Sequence, residues 1–247
     1  MNIAVLIKMV PDTESKLEVN DGALIDQNFK YMVNPYDEFA VEQAVQFKEA
    51  EGGKVTLLSL FSEDSSIDTD LRKMLAIGAD EIVVLRQNGY RGDKPLANAK
   101  VLSDAIKELD VDLVLCGVQG IDYYQAATGT MVAQMLGIPN ISGVTSLEYN
   151  SGTLKAKRQI EGGLQTVETP TPAVITCQKD MNKVRFPALK DIMMSKRKPF
   201  ENKNVGRLLI NNKNPFALLK LDNKKFNFEI NLNCGDAKIK VLKPRWF

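Results

Sequence analysis

The amino-acid sequence predicts an α/β protein with an open, mostly parallel, doubly wound sheet. In the first half of the chain, short apolar runs alternate with segments of helical periodicity, which is the order of strands and crossover helices in a parallel sheet. A glycine-rich turn follows the fourth apolar run, and such turns are typical of ligand-binding loops at the ends of parallel strands. Hydrophobic residues make up 44% of the 247 residues, which is enough for one sizeable core.

The first half contains four predicted strands and three predicted helices. The first helix is expected to begin at Asn34, because asparagine is a favourable N-cap and Pro35 suits the first helical position. It is expected to end at the Gly52-Gly53 pair, and the second helix at Gly78. The strands are predicted at residues 3–7, 55–60, 82–85 and 113–116, and the helices at residues 34–52, 67–78 and 95–109.

The second half changes to short strands separated by turns. Segments at residues 144–149, 154–160, 164–168 and 173–177 are rich in Val, Ile and Thr, and Asn-Ser-Gly, Gly-Gly and Pro-Thr-Pro turns separate them. They predict an antiparallel addition to the sheet. A methionine-rich basic stretch begins after Asn182 and leads into a lysine- and asparagine-rich tail with too little regular apolar content for a second core. We expect this C-terminal arm to pack on another surface.

The composition argues against several classes of function. Lysine and arginine number 32 against 31 aspartate and glutamate, so no overall positive field exists to hold a nucleic acid or an anionic membrane. The absence of histidine removes the usual general base, the Ser/His and Cys/His nucleophile pairs and the commonest transition-metal ligand. Cys116, Cys177 and Cys234 are too far apart for a CxxC metal site and odd in number, so we interpret them as buried thiols. We expect neither a catalytic centre nor a metal site.

The N-terminal sequence bears on location. MNIAVLIKMVPD lacks the basic, apolar and small-residue zones of a signal peptide. No apolar run approaches the ~18 to 20 residues needed to span a bilayer. We expect a cytoplasmic protein without membrane insertion.

The most informative segment is the turn at residues 117–128. It follows the fourth strand and opens a helix, so its backbone N–H groups can close on a phosphate, and Thr128 can add a hydroxyl donor. The segment is neither a GxGxxG nor a Walker motif, and a tight turn without a ligand explains its glycines equally well. Residues 34–37 likewise fit either an anion site or a plain helix cap.

Together these segments predict a single crevice. In a doubly wound sheet, the ends of the first and fourth strands flank the position at which the strand order reverses. Residues 6–8, 34–37 and 117–128 can therefore converge on one adenosine phosphate.

Six segments of the chain form a series that is specific in order and spacing. They are Lys8-Met-Val-Pro-Asp-Thr13, Val33-Asn-Pro-Tyr-Asp-Glu-Phe-Ala-Val-Glu-Gln-Ala44, Gly117-Val-Gln-Gly-Ile-Asp122, Arg158-Gln-Ile-Glu-Gly-Gly163, Pro172-Ala-Val-Ile-Thr176 and Asn182-Lys-Val-Arg-Phe-Pro-Ala-Leu-Lys-Asp-Ile-Met193. This series resembles the beta subunit of electron transfer flavoproteins over roughly residues 1–200. Because several independent segments agree, the resemblance is specific, although the stretch after about Val205 does not align with the family's usual C-terminal arm.

The resemblance implies a heterodimer in which the alpha subunit holds most of the FAD. The beta subunit buries an AMP without a redox role, in an adenine nucleotide alpha hydrolase-like variant of the Rossmann fold. Such a protein is an electron carrier and not an enzyme, and it passes electrons from flavin-dependent dehydrogenases, such as acyl-CoA dehydrogenases, to a downstream acceptor. Carried over by position, the AMP contacts are Leu6, Asn34, Pro35, Tyr36, Asp37, Leu60, Gly117, Val118, Gln119, Gly120, Ile121, Asp122, Tyr123, Tyr124, Gln125, Ala126, Ala127 and Thr128.

The resemblance also implies contacts with the alpha subunit. Residues 11–13 would approach its flavin, and residues 158–163 would lie against its movable flavin domain. At Gln159 this chain carries a neutral amide where the family commonly has a glutamate.

A docking segment at about residues 182–198 would bind the dehydrogenases. This divides the chain into a nucleotide-binding α/β domain at residues 1–200, which includes the docking segment, and an arm at residues 201–247 that packs on the partner subunit. The docking residues implied by the resemblance are Arg185, Leu189, Ile192 and Met193.

Two alternatives remain at this point. Family members that bifurcate electrons oxidise NADH, bind a second FAD in place of AMP, and typically carry Gly-Asp-Thr after the Ile-Asp of the turn. Here Tyr123-Tyr124-Gln125 stands instead, and its bulk favours AMP. An adenine-nucleotide-binding regulatory domain of the stress-protein type shares the α/β layout, but it has no need of the segments at residues 158–163 and 185–193.

Overall fold

The computed structural model describes residues 1–205 apart from 17, 21–22, 26–28, 64–66, 89 and 91, and only short strands beyond residue 205. The chain divides into two compact units, Met1–Val205 and Gly206–Phe247. In chain order the first unit contains β1 (Asn2–Ile7), β2 (Met9–Pro11), β3 (Glu18–Asn20), β4 (Ala23–Ile25), β5 (Tyr31–Val33), α1 (Pro35–Glu51), β6 (Lys54–Ser62), α2 (Asp68–Ile77), β7 (Glu81–Gln87), α3 (Pro95–Lys107), β8 (Leu113–Gly117), α4 (Thr128–Leu136), β9 (Asn140–Asn150), β10 (Thr153–Ile160), β11 (Gly163–Pro170), β12 (Ala173–Cys177), α5 (Leu189–Ser195) and β13 (Phe200–Asn204).

Nine strands of the first unit form one sheet in the order β11-β10-β9-β12-β8-β1-β6-β7-β13. Seven neighbouring strands of this sheet run parallel to one another: β9, β12, β8, β1, β6, β7 and β13. At the β9 edge, β10 pairs antiparallel with β9, and β11 pairs antiparallel with β10. The remaining strands form two short antiparallel pairs, β2 with β5 and β3 with β4. The predicted α/β class with an open, mostly parallel, doubly wound sheet is confirmed.

The strand order reverses between β1 and β8. From β1 the chain proceeds through β6 to β7 on one side, and it then returns to place β8 on the other side of β1. Leu6 of β1 pairs with Leu58 of β6 and with Cys116 of β8, so these strands end at the same edge of the sheet. Open α/β sheets bind their ligands in the crevice beyond such an edge.

The central strands are buried on both faces. Val5, Leu57, Leu115 and Ile175 have no exposed surface. Strands covered by helices on both faces need near-continuous apolar runs and not alternating patterns, which explains why these segments read as unbroken apolar stretches in the sequence.

The predicted antiparallel addition is correct for β10 and β11, which pair antiparallel with β9 and with each other; β9 itself also pairs in parallel with β12. The assignment of residues 173–177 to this addition is wrong. These residues form β12, which pairs in parallel with both β8 and β9, so that Ile175 lies opposite Leu115 and Ile141. All five residues of β12 are buried, and both α1 and α4 contact this strand.

The C-terminal end of the first unit adds an edge strand. Residues of β13 pair in parallel with β7, with Phe200 opposite Ile82, and Val205 N donates to Arg86 O at 3.0 Å. The first unit therefore continues through Val205, past the predicted boundary at residue 200.

The second unit contains β14 (Lys220–Leu221), β15 (Lys224–Lys225), β16 (Leu232–Cys234) and β17 (Ala237–Ile239). β14 pairs antiparallel with β15, and β16 with β17. The predicted packing of the arm at residues 201–247 on a partner mostly concerns residues outside the described part. Within the described part, no helix has both the length and the apolar character to cross a membrane.

Candidate functional site

A crevice opens where β1 and β8 end, and the predicted segments do meet there. Residues from β1, the start of α1, the end of β6 and the turn at residues 117–128 line one cavity. Of the predicted nucleotide contacts, the lining includes Leu6, Asn34, Asp37, Leu60, Gly117, Val118, Gln119, Gly120, Asp122, Tyr123, Tyr124, Gln125, Ala126, Ala127 and Thr128.

Asn34 does not act as the helix cap that its position indicates. Its side chain makes no capping hydrogen bond to α1 and instead binds the turn at residues 117–128. Its Nδ2 donates to Gln119 O at 2.9 Å, and its Oδ1 accepts from Ile121 N at 3.2 Å. Asn34 is buried, so both bonds are shielded from water. The start of α1 and the turn after β8 are therefore fixed to each other by one amide.

Asp37, in the first turn of α1, joins the ends of β1 and β8. Its two carboxylate oxygens accept from the backbone N–H groups of Lys8 and Gly117, each at 2.8 Å. Burial raises the pKa of Asp37 to about 7, and the bonds from Lys8, Gly117 and Asn34 oppose this rise. The carboxyl group is committed to backbone N–H groups and holds the floor of the crevice together.

Two glycines of the turn are needed for close approach. A Cβ at Gly117 would overlap Asp37 Oδ1 and would lie 2.6 Å from Tyr36 Cβ. A Cβ at Gly120 would lie 2.6 Å from Asp122 Oδ1 and 3.1 Å from Lys8 Cδ. At Gly117 the backbone of Tyr36 also lies 2.9 Å away, so a side chain there is excluded, whereas a side chain at Gly120 would have to displace the ends of Asp122 and Lys8.

Lys8 and Asp122 form an ion pair across the mouth of the crevice. Lys8 Nζ lies 2.7 Å from the Asp122 carboxylate and 5.1 Å from the centre of the Tyr123 ring. It also donates to Gly92 O at 3.4 Å, so the connection between β7 and α3 closes on the same group. The ammonium, the carboxylate and the ring hold the turn at residues 117–128 against the end of β1.

The end of the turn presents the first residues of α4 to the crevice. α4 begins at Thr128, and Met131 N donates to Ala127 O at 3.0 Å. The first N–H groups of a helix have no carbonyl partner within it and carry a partial positive charge. Tyr124 and Ala126 adopt positive φ angles of 52° and 49°, which turn the backbone so that the helix starts at the crevice. This end of the crevice is suited to an anion.

Three predicted contacts support the crevice without lining it. Pro35 begins α1, Ile121 donates its N–H to Asn34, and the Tyr36 hydroxyl accepts from Gln119 Nε2 at 3.4 Å. Sequence reasoning missed part of the lining, which comes mainly from the connection after β7 and from α3. Since β7 ends at the same edge as β1 and β6, its position in the sheet is the signal that could have found them. The missed residues are Tyr90, Gly92, Asn98, Leu102, Cys116 and Gly129.

Cys116 lines the crevice, and Cys177 lies in the neighbouring strand β12. Cys116 and Cys177 are buried as predicted, and burial raises the pKa of both thiols, which keeps them protonated and unreactive. The side chain of Cys234 lies outside the described part. Among the described residues no cluster of three or more Cys, Asp or Glu side chains is arranged to hold a metal ion.

The docking segment at residues 182–198 exposes large apolar side chains. Phe186 is 96% exposed, Leu189 74% and Met193 64%, and Ile192 and Met194 are also exposed. Arg185, which the resemblance places among the docking residues, is partly exposed, and its guanidinium forms ion pairs with Glu42 at 2.9 Å and Glu49 at 2.6 Å.

The hairpin of β10 and β11 also lies on the surface. Arg158 Nε donates to Gln165 Oε1 at 2.8 Å, and Gln159, Ile160 and Leu164 are exposed near the hairpin end. The loop at residues 11–13 follows β2, where Asp12 N donates to Lys30 O at 2.7 Å. Thr13 is exposed.

These features define a Rossmann-like α/β protein with a crevice at the switch point of its sheet. The sequence model of the electron transfer flavoprotein domain matches residues 21–207. The chain is 34% identical to electron transfer flavoprotein subunit beta of Bacillus subtilis over 209 residues, which are 84% of this chain and 80% of the relative. It is 38% identical to the protein of the same name in Thermoanaerobacterium thermosaccharolyticum, over 78% of this chain and 74% of the relative. The chain belongs to the electron transfer flavoprotein family. Both of these relatives are beta subunits of electron transfer flavoproteins.

A third relative carries a different name. The acryloyl-CoA reductase electron transfer subunit gamma of Anaerotignum propionicum is 34% identical over 204 residues, which are 81% of this chain and 76% of the relative. The family thus includes a subunit named for a reductase that acts on a CoA thioester.

Proposed function

We propose that the protein is the beta subunit of a heterodimeric electron transfer flavoprotein, that it binds AMP in the crevice, and that it helps the FAD-carrying alpha subunit pass electrons from dehydrogenases to a downstream acceptor. The observation that carries this proposal is the attachment of the turn at residues 117–128 to Asn34 at the switch point. In a chain that belongs to this family, that attachment builds a backbone cradle of the kind that binds a nucleotide phosphate.

Different residues of the crevice can bind the phosphate and the adenine ring of AMP. The start of α4, with the Thr128 hydroxyl and the N–H groups that follow it, supplies donors for the phosphate. Leu6, Leu60 and Leu102 supply an apolar wall for the adenine ring. The protein holds this nucleotide in place, whereas the FAD of the partner supplies the redox chemistry.

The mouth of the crevice favours AMP over a second FAD. Tyr123 and Tyr124 line the crevice, and Lys8 Nζ, which is paired with Asp122, lies 5.1 Å from the centre of the Tyr123 ring. We infer that the bulk of these side chains leaves less room for an isoalloxazine than the smaller Gly-Asp-Thr of the bifurcating members does. A bifurcating protein with two FADs is the alternative for the same crevice.

The exposed apolar side chains of the docking segment support a role in binding dehydrogenases. Leu189 and Met193 project from a surface that also carries Lys190, Lys196 and Arg197. An apolar anchor with a basic border and flexible methionines suits transient binding of several partners. Acyl-CoA dehydrogenases are the class of partner that we propose.

Co-expression with the alpha subunit encoded in the same genome tests this function. The proposal predicts a purified heterodimer whose FAD absorbance bleaches when an acyl-CoA dehydrogenase and its acyl-CoA substrate are added without oxygen. A chain that binds adenine nucleotide alone and forms no flavin-containing complex would instead support the regulatory, stress-protein type of function.

A further inference from the structure

The docking segment is held at both of its ends, and the two ends are held on different helices. At the start, Asn182 Nδ2 donates to Phe39 O of α1 at 3.0 Å. At the end, Arg72 of α2 donates to Ser195 O at 3.1 Å, and Lys198 Nζ donates to Leu75 O of α2 at 2.9 Å. Between these points, residues 186–194 carry the exposed apolar side chains.

Arg185 makes the most extensive of these attachments. To Glu42, Arg185 donates from Nε to Oε2 at 2.9 Å, from Nη2 to Oε1 at 2.9 Å and from its backbone N–H to Oε2 at 3.2 Å. To Glu49, it donates from Nη1 to Oε1 at 2.6 Å and from Nη2 to Oε2 at 3.0 Å. All three guanidinium nitrogens are therefore committed to carboxylates of α1.

The two carboxylates differ in their surroundings. The side chain of Glu42 is 3% exposed, whereas that of Glu49 is 53% exposed. Burial raises the pKa of Glu42, but the hydrogen bonds from Arg185 and Gln46 outweigh it and hold the pKa below its ordinary value. The hydrogen bond from Arg185 likewise lowers the pKa of Glu49. Both partners are thus ionised at neutral pH, and paired bidentate geometry of this kind fixes the direction of an arginine.

We propose that Arg185 is a positioning residue: bound to Glu42 and Glu49 of α1, it fixes residues 186–194 in the form that a dehydrogenase binds, and it does not itself contact the dehydrogenase. The inference rests on the proposed docking function. Arg185 immediately precedes the exposed segment, and its charge is already neutralised by two carboxylates. A loop that is ordered before binding loses less conformational entropy on association, so the attachment favours docking without a contact of its own.

Glu49 offers the cleaner test, because it is exposed and its removal leaves no buried charge without a partner. Glu49→Gln removes one arm of the attachment, and Glu51→Gln is the matched control on the same exposed end of α1. Arg185→Lys keeps a positive charge beside Glu42, but a lysine cannot donate two hydrogen bonds to each of the two carboxylates. All variants are made in the heterodimer with the alpha subunit.

Two quantities are measured. The first is the rate of hydrogen–deuterium exchange of residues 186–194. The second is the KM for the heterodimer as electron acceptor of a medium-chain acyl-CoA dehydrogenase that is reduced by octanoyl-CoA. We expect faster exchange in this segment and a KM raised about fivefold for Arg185→Lys, with kcat unchanged. The melting temperature should fall for Arg185→Lys, because lysine leaves the buried Glu42 with fewer hydrogen bonds, and it should stay unchanged for Glu49→Gln. Glu49→Gln should move both readouts in the same direction, Glu51→Gln should move neither, and Glu49→Gln should add little in the Arg185→Lys background.

Two results would overturn the proposal. A raised KM with unchanged exchange would mean that Arg185 contacts the dehydrogenase directly. Unchanged exchange and unchanged KM in both Arg185→Lys and Glu49→Gln would mean that the attachment does not order the segment. If Arg185→Lys fails to fold, the comparison of Glu49→Gln with Glu51→Gln decides. If the wild-type heterodimer is not reduced by the dehydrogenase, the docking function fails with this enzyme, while the exchange measurement still decides whether Arg185 orders the segment.

Discussion

Asn34 stands at the start of α1, yet its side-chain amide binds Gln119 in the turn after β8, with 2.9 Å between Nδ2 and the carbonyl oxygen. The same amide accepts from Ile121 N, so one side chain satisfies both a donor and an acceptor of the turn. This contact joins two segments that are far apart in the sequence and forms the wall of the crevice.

Asn34→Ala should weaken nucleotide binding while the fold persists. The substitution leaves the Gln119 carbonyl and the Ile121 N–H, both partly buried, without these partners, and an unsatisfied buried group costs up to ~1–3 kcal/mol. Since ~1.4 kcal/mol corresponds to tenfold in affinity, we expect AMP to bind at least about tenfold more weakly. Nucleotide released from the purified heterodimer by acid measures the effect. Asn140→Ala, which removes a bond to Val174 O outside the crevice, is the control. Full AMP content in Asn34→Ala would show that the turn does not depend on this amide.

Gly120→Val should remove AMP and weaken assembly with the alpha subunit. A Cβ at this position would meet Asp122 Oδ1 and Lys8 Cδ, so the ion pair that closes the crevice must move. Gly163→Val is the control for AMP content, because nothing lies within 4 Å of a Cβ there and Gly163 does not line the crevice. It is not a control for heterodimer yield, because residues 158–163 are proposed to contact the alpha subunit. Chromatography of the released nucleotide and the yield of heterodimer are the two readouts. Recovery of AMP at full stoichiometry from Gly120→Val would show that the turn does not bind it.

The free energy of unfolding should carry a pH-dependent contribution from Asp37. Burial raises its pKa in the folded protein from 3.8 to about 7, so between these values the folded state holds the proton more tightly than the unfolded chain does. This group therefore makes the unfolding free energy fall as the pH rises through the window, by up to ~1.4 kcal/mol per pH unit. Asp37→Asn cannot titrate. Urea unfolding at pH 4.5, 5.5 and 6.5 should show the wild-type advantage over this variant shrinking with rising pH. Parallel profiles would show that the carboxyl stays ionised throughout.

The sheet and the crevice were predictable because both follow from local patterns. Unbroken apolar runs between helical segments set the parallel strands, and the switch point follows from their order. The position of β12 was not predictable from its neighbours in the chain, because the chain returns from the sheet edge at β11 to a place between β8 and β9. The signal available in the sequence was the run Ala-Val-Ile-Thr-Cys, which has no charged residue and is typical of a strand buried on both faces.

Contacts between residues distant in the sequence were also not predictable in the crevice and in the docking segment. Sequence placed Asn34 and the turn at residues 117–128 in one crevice, but local chemistry favoured a helix cap for Asn34, and only the fold shows the contact with Gln119. The resemblance named Arg185 as a docking residue, but it gave no sign of its ion pairs with Glu42 and Glu49, which lie far away in the sequence. Pairings between distant residues leave no trace in the periodicity of a segment.

Leu189→Ala should slow reduction of the heterodimer by an acyl-CoA dehydrogenase. Loss of a central apolar anchor costs ~2 kcal/mol or more, which is about thirtyfold in affinity. Because Leu189 is 74% exposed, the melting temperature and the FAD and AMP contents should stay unchanged. Val19→Ala, at a residue that is 68% exposed outside the docking segment, is the control. Unchanged electron transfer in Leu189→Ala would place docking elsewhere, and residues 206–247 would then be the next candidate.

Gln159→Glu should change the rate of electron transfer measurably. Gln159 is exposed beside Arg158, whose side chain is bound to Gln165, and residues 158–163 are proposed to lie against the movable flavin domain. A carboxylate there can form a charge-assisted hydrogen bond that an amide cannot. Stopped-flow reduction and solution scattering report the rate and the domain distribution. If both stay the same, the hairpin does not contact that domain.

The identity of the nucleotide in the crevice tests the central claim most directly. The heterodimer is purified with its alpha subunit, the cofactors are released by acid, and AMP and FAD are quantified by chromatography and mass spectrometry. The account predicts one FAD and one AMP per heterodimer, with the AMP and not the FAD lost in Asn34→Ala. Two FADs per heterodimer, one of them lost in Asn34→Ala, would contradict it and would assign the crevice to a second flavin.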